Sequence, residues 1–148
     1  MTPRSGATTD SSDIIAAIGR VMLAAIFLWG GYGKLTDQAS TLGYIRSVHL
    51  PEPMLVMWVG IFVELIGGLA LAIGSKTRIV AAALAAFCLV AAFAFHTAFN
   101  EPNQLTNFMK NIAMAGGLLQ IVAFGPGRIS VDHRYLLQSI GDDCRQPG

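Results

Sequence analysis

The stretch WVGIFVELIGGLALAIG, Trp58 to Gly74, is apolar from end to end except for one carboxylate, Glu64, almost at its centre. With Met54 to Met57 ahead of it, the run has roughly the 17 to 25 residues that a helix needs to cross the hydrocarbon layer of a bilayer. Three more blocks share its character: Ile14 to Gly31, Ile79 to Ala98 and Phe108 to Phe124. Four such blocks in 148 residues leave nothing to wrap around them. The expected fold class is therefore all-α, a polytopic membrane protein with four transmembrane helices in a bundle, spanning about 14–31, 54–73, 79–98 and 108–124.

Composition agrees. Hydrophobic residues make up 53% of the chain and charged residues only 13%, against about 25% charged in a soluble domain. The net charge of +1 comes with no basic cluster, so no nucleic-acid partner is expected. Cys88 and Cys144 form neither a CxxC pair nor a disulfide framework, which argues against metal held through sulfur and for two free thiols. The first block lacks a strongly basic lead and an A-x-A type cleavage site, so it reads as a retained span and not a signal peptide.

Residues 1–13, rich in Ser, Thr and Asp, read as a disordered tail whose SSD sequence supplies helix-capping residues. In the connection from Leu35 to Pro53, Leu42, Tyr44, Ile45 and Val48 fall at nearly helical spacing. Both a short interfacial helix and an ordered loop fit that pattern. Residues 128–148 form a C-terminal tail. Four spans put both termini and the GSKTR turn on one side, with Arg4, Lys76, Arg78, Arg128, Arg134 and Arg145, against Lys34 and Arg46 on the other. Positive residues in short loops stay cytoplasmic, so both termini are expected in the cytoplasm.

The informative residues are those that lipid should exclude: Arg20, Lys34, Glu64, His96, Lys110 and Asn111. A charge at a helix centre costs about 2.5 to 3.5 kcal/mol on insertion scales, whereas each Leu, Ile, Phe or Val returns about 0.3 to 0.6. Glu64 is thus expected to face the bundle, in a stripe with Gly60, Gly67 and Gly68 that lets backbones approach closely. Gly31, Gly116 and Gly117 are read as further packing positions. Counting about 1.5 Å per residue from the cytoplasmic ends of the blocks puts Arg20 about 9 Å deep and Glu64 about 13 Å. The expectation is an Arg20 to Glu64 pair. The same count gathers Lys34, His96, Lys110 and Asn111 into a second polar layer near the outer face, with Lys110, Ala113, Gly117 and Gln120 in one stripe. Each residue also has a plainer reading: Lys34 as a snorkelling anchor, His96 as a boundary residue, and the buried pair as a device that sets helix register.

Arg20 followed by an apolar run into GGYGK, a glutamate followed by glycines and a basic turn, a histidine late in the third span, then KN, AGGL and GPGRISVD together resemble the DoxX family of small four-helix membrane proteins. The resemblance runs from about Ile14 to Asp132 and depends on the order of several motifs. It implies the bacterial cytoplasmic membrane. Some members are named as subunits of a thiosulfate:quinone oxidoreductase, and others are associated with membrane oxidoreductase complexes concerned with thiol and oxidative stress. Position by position, the family pattern falls on Arg20, Gly31, Lys34, Glu64, Gly68, Lys110, Asn111 and the turn of Gly125 to Gly127.

Three functions follow as expectations. The first is the membrane subunit of an oxidoreductase complex with a quinone or thiol-redox link, working beside a soluble or membrane partner. The chain has no histidine pair for a haem, no cysteine cluster for iron and sulfur and no dinucleotide fingerprint, so a quinone is the one cofactor in view. The second is a small-solute or anion transporter, which would require a homo-oligomer. The third is a scaffold or assembly factor whose buried charges are architectural.

Overall fold

The computed structural model describes residues 10–143. Arg4, Cys144, Arg145 and most of the expected N-terminal tail lie outside the described residues. Within them the chain forms α-helices and no strand: α1 Ser11–Thr36, α2 Gln38–Ser47, α3 Pro53–Ile73, α4 Thr77–Phe95, α5 Gln104–Phe124 and α6 Val131–Asp143. The helix α1 starts ahead of the apolar block. Asp10 is its N-cap and Asp13 answers in a capping box, an arrangement that satisfies two otherwise orphaned backbone donors. The connection 35–53 resolves into α2, and the C-terminal tail contains α6.

The long helices α1, α3, α4 and α5 pack in a ring in which α1 lies along α3, α3 along α4, and α4 along α5, while α1 meets α5 over a shorter stretch. The chain runs up and down, so the start of α1, the α3–α4 turn and the end of α5 share one end, the basal end. The other, distal end carries α2 and the α4–α5 turn. One core cluster, Ala24, Phe27, Leu71, Ala81, Leu84, Ala85, Cys88, Ala115 and Leu118, draws on all four helices. A second, distal cluster of Ile45, Met57 and Ile61 seats α2 against α3, and Tyr44 of α2 donates to the Phe95 carbonyl at 3.0 Å.

The outside of the bundle is apolar. Trp29, Phe62, Val90, Phe93 and Leu119 are all exposed, and a surface of this kind is soluble only in lipid. The helices α1, α3 and α4 are each long and apolar enough to cross a membrane. Helix α5, with 21 residues, is the most polar of the four because it carries Asn107, Lys110, Asn111 and Gln120.

Glycines set the helix spacing, since a missing side chain lets backbones close up. A Cβ on Gly68 would lie 3.1 Å from Leu28 and 3.2 Å from Phe27, and one on Gly67 would lie 2.9 Å from Leu84. The glycines of α3 therefore receive side chains from α1 on one side and α4 on the other. Gly31 of α1 is the tightest approach to α3: a Cβ there would lie 2.8 Å from the Leu65 side chain and 3.2 Å from Glu64 Cβ. A Cβ on Gly60 or Gly116 would meet nothing within 4 Å, so these two do not act as close-packing positions within the chain. Gly31→Ala is accordingly expected to lose about 1 to 3 kcal/mol through overpacking, read as a lower unfolding midpoint in detergent. Gly116→Ala should be neutral or slightly stabilising, since alanine is the better helix former.

Candidate functional site

Glu64 does not meet Arg20. Its carboxylate is bound by Lys34, whose Nζ donates to Oε2 at 2.7 Å and to Oε1 at 2.8 Å. This is the one ion pair among the described residues, with side chains 33% exposed for Lys34 and 10% for Glu64. Gly30 makes room for it, because a Cβ there would lie 3.4 Å from both carboxylate oxygens. Lys34 is therefore the half-buried donor of an ion pair with Glu64, a partner that the anchor reading did not include.

The depth count misplaced Arg20 because the helix ends are staggered. Arg20 lies level with the end of α3, donating to the Ala72 carbonyl at 3.5 Å. The turns of α1 before it project past that end. Ten residues further along α1, or about 15 Å, Gly30 lies level with Glu64. The two charges of the expected pair are thus nearly half a bilayer apart.

At the basal end, Arg20 is 4% exposed and organises the segment after α5. Its guanidinium donates to the Pro126 carbonyl and to the Ile129 carbonyl at 2.8 Å. The Arg128 backbone N–H donates to Asp13 at 3.0 Å, which ties the same segment to the first turn of α1. Asp132 then closes the strap on α4. It accepts from Lys76 N–H at 2.7 Å, Thr77 N–H at 2.8 Å and the Thr77 hydroxyl at 2.7 Å. The residue that caps α4 therefore comes from far along the chain, while Lys76, in the N-cap position, has a left-handed backbone and no capping side-chain bond. Gly74 permits the crossing: its φ is +74° and a Cβ there would lie 2.6 Å from Ser130 Cβ, so only glycine fits.

Burial works to raise the pKa of Asp132, but the hydrogen bonds from Thr77 and Lys76 and the field of Arg20 outweigh it, holding the carboxyl below the usual value of 3.8. A folded-state pKa below the unfolded one contributes stability that is complete above the unfolded value and lost as the pH falls through the folded one. Asp132→Asn is therefore expected to flatten the decline of the unfolding midpoint below about pH 4. Asp132→Ala should lose about 1 to 2 kcal/mol at neutral pH, as other lost caps do.

The outer polar layer does not assemble. His96 Nδ1 lies 2.8 Å from Gln104 Oε1 across the α4–α5 turn, and Asn111 donates to the Asn107 carbonyl at 3.0 Å. Lys110 is exposed and makes no hydrogen bond among the described residues. The stripe through Lys110, Ala113, Gly117 and Gln120 faces away from the core, because the buried face of α5 is that of Ala115 and Leu118. Its lower part borders a groove.

That groove lies between α1 and α5, with a volume of about 260 Å³, and is lined by Gly19, Arg20, Leu23, Gly117, Gln120 and Ile121, among others. Gly117 keeps it open, since a Cβ there would reach across the gap to within 3.4 Å of the Leu23 side chain. The buried Nε–H of Arg20 has no hydrogen-bond partner among the described residues. An orphaned buried donor of this kind is uncommon; other atoms of Arg20 line the groove, while Nε itself is covered. Sequence reasoning singled out Arg20 and read Asp13 as a helix-capping residue, but missed the tie from Asp13 to Arg128, Gly30, the role of Asp132 and the groove. An aspartate following GPGR was a visible signal, although nothing in the sequence says which helix it caps.

The DoxX family model matches residues 15–97. Inner membrane protein YqjF of Escherichia coli is 37% identical over 120 residues, covering 81% of this chain and 91% of that protein. Inner membrane protein YphA of the same organism is 29% identical over 127 residues, covering 82% of this chain and 90% of that protein. No solved structure gives a significant match. With the family model covering more than half of a chain that folds as a polytopic helical bundle, the protein belongs to the DoxX family.

Proposed function

We propose that the protein is the membrane subunit of an oxidoreductase complex and holds the head group of a quinone in the groove between α1 and α5. The observation that carries this reading is a groove lined by Arg20, whose Nε–H has no partner among the described residues, and by the exposed Gln120. The Gln120 amide can donate to a carbonyl oxygen there, and Arg20 sets a positive charge beside it, in apolar surroundings where such a bond is strong. The volume of about 260 Å³ suits a ring with its isoprenoid chain in lipid. A quinone there would carry electrons and protons for a partner. This chain's residues would orient the carbonyl and exclude water, while the Lys34–Glu64 pair holds α1 and α3 together. The location follows the relatives, which are named inner membrane proteins. Lys76, Arg78, Arg128 and Arg134 near the basal end favour its placement in the cytoplasm.

The test is extraction of quinone from protein purified in mild detergent, beside Gln120→Leu and Gly117→Val, which remove a donor or fill the groove. Near-stoichiometric quinone in the wild type and its loss from helical, folded variants is expected. A wild type free of quinone and of any redox partner overturns the reading. That result would favour the scaffold, which the basal hydrogen bonds of Arg20, Asp13 and Asp132 to the chain's own groups already support.

A further inference from the structure

On the other side of the Gly125–Gly127 turn lies a larger cavity of about 720 Å³, between the start of α4, the end of α5 and the start of α6. Its lining divides into two halves. Lys76, Arg78 and His133 form one; Ile79, Phe124 and Leu136 form the other. Lys76 and Arg78 are exposed, and neither has a carboxylate partner among the described residues. The carboxylate in the lining, Asp132, is already enclosed by the three donors of Lys76 and Thr77. The apolar half is open to the surroundings, with Phe124 81% exposed, Ile79 71% and Leu136 57%. Phe124 ends α5 and Ile79 lies in the first turn of α4, so the cavity sits where the bundle leaves the hydrocarbon. Basic residues beside exposed apolar ones at that level match a group that is anionic at its head and carries hydrocarbon.

We infer that this cavity binds the phosphate of an anionic phospholipid, with Lys76 and Arg78 on the phosphate and Phe124, Ile79 and Leu136 along the upper acyl chains. A free phosphate ion shares the head-group chemistry but would leave the apolar half uncovered. Arg78 is suited to the phosphate through its planar fork, and Lys76 acts as a point charge. The Arg78 guanidinium lies beside Gly125, where a Cβ would lie 3.4 Å from Nη2, so the backbone of the turn and the cation share one wall. The cavity shares Phe124, Gly125 and Pro126 with the groove on the α1 side, but Lys76 and Arg78 line this cavity and not the groove, and the assignment does not depend on a quinone.

The test uses the full chain purified in detergent micelles, titrated separately with dioleoylphosphatidylglycerol, dioleoylphosphatidylcholine and inorganic phosphate. Unfolding midpoint and native mass spectrometry are the readouts. The anionic lipid is expected to raise the midpoint saturably and to remain bound as one or two molecules, while the zwitterionic lipid and phosphate do neither. Lys76→Gln with Arg78→Gln should weaken phosphatidylglycerol binding by about 25-fold, at about fivefold per cation near an anionic head group. The basal midpoint should hold, because neither side chain is used in the fold. Lys110→Gln, about 21 Å from Phe124 along α5, should bind the anionic lipid as the wild type does. Equal binding of the two lipids, an unchanged affinity in the double variant, or a matching saturable shift with phosphate alone overturns the assignment.

Discussion

Lys34→Met is expected to lower the stability of the bundle by about 3 kcal/mol, at the lower end of what breaking a buried ion pair costs. Glu64 is 8% exposed, and with Lys34 gone both of its oxygens lose their donor. The carboxyl is then left without its partner in an apolar place. The reverse change, Glu64→Gln, should cost less. Its amide oxygen still accepts from Lys34, and an ammonium on a side chain 33% exposed can move toward the surface. Glu64→Met in the Lys34→Met background should recover much of the loss, because an apolar pair of similar volume often matches a buried ion pair. A double-mutant cycle in detergent measures the coupling. Additive effects would show that the two groups, although 2.7 Å apart, do not depend on each other.

Arg20→Ala should cost more, about 3 to 5 kcal/mol. It removes charged donors from the carbonyls of Pro126 and Ile129, each hydrogen bond to a charged group contributing about 1.5 to 3 kcal/mol, with a longer and weaker one to Ala72, and it leaves a void where carbonyls keep no partner. The segment from Gly125 to Ser130 then keeps its ties through Arg128 to Asp13 and through the neighbouring Asp132 to α4. Proteolytic cutting should therefore increase within that segment before the bundle itself unfolds. Arg20→Lys should rescue only partly, since an ammonium cannot span carbonyls on two separate elements as a planar guanidinium does. Full rescue by lysine would mean that charge alone, without the fork, holds the strap. Both readouts are independent of quinone content, so a failure of the proposed function leaves these expectations standing.

The membrane class and the helical spans were legible in the chain because they depend on composition over a window of residues. Length and apolar content alone say that Met54 to Ile73 crosses a bilayer, whatever lies beside it. That Glu64 and Arg20 turn away from lipid was legible too, since the cost of a charge in hydrocarbon is a property of the residue and its surroundings in sequence. The partner of each was not. Pairing depends on how far one helix is shifted along another, and a single α-helical turn of error moves a group by about 5.4 Å, more than a hydrogen bond tolerates. The blocks were aligned by their apolar ends, but α1 begins ahead of its block at a capping box and runs past the end of α3. The shift is set elsewhere, by Gly31 against Leu65 and Gly68 against Leu28.

GPGRISVD shows the same division. Its glycines and proline announced a turn, and a turn is local. Its work is distant: Asp132 caps α4 and the carbonyls around Arg128 receive Arg20, across 55 and 109 positions of chain. The order of apolar and polar residues was enough to specify an all-α polytopic membrane protein, with three helices long and apolar enough to span among the described residues, and with Arg20 and Glu64 turned inward. Helix packing in three dimensions settled that Lys34 neutralises Glu64 and that Arg20 holds the strap. Hydrophobicity acts residue by residue, whereas an ion pair or a cap exists only once packing has set the offset between helices.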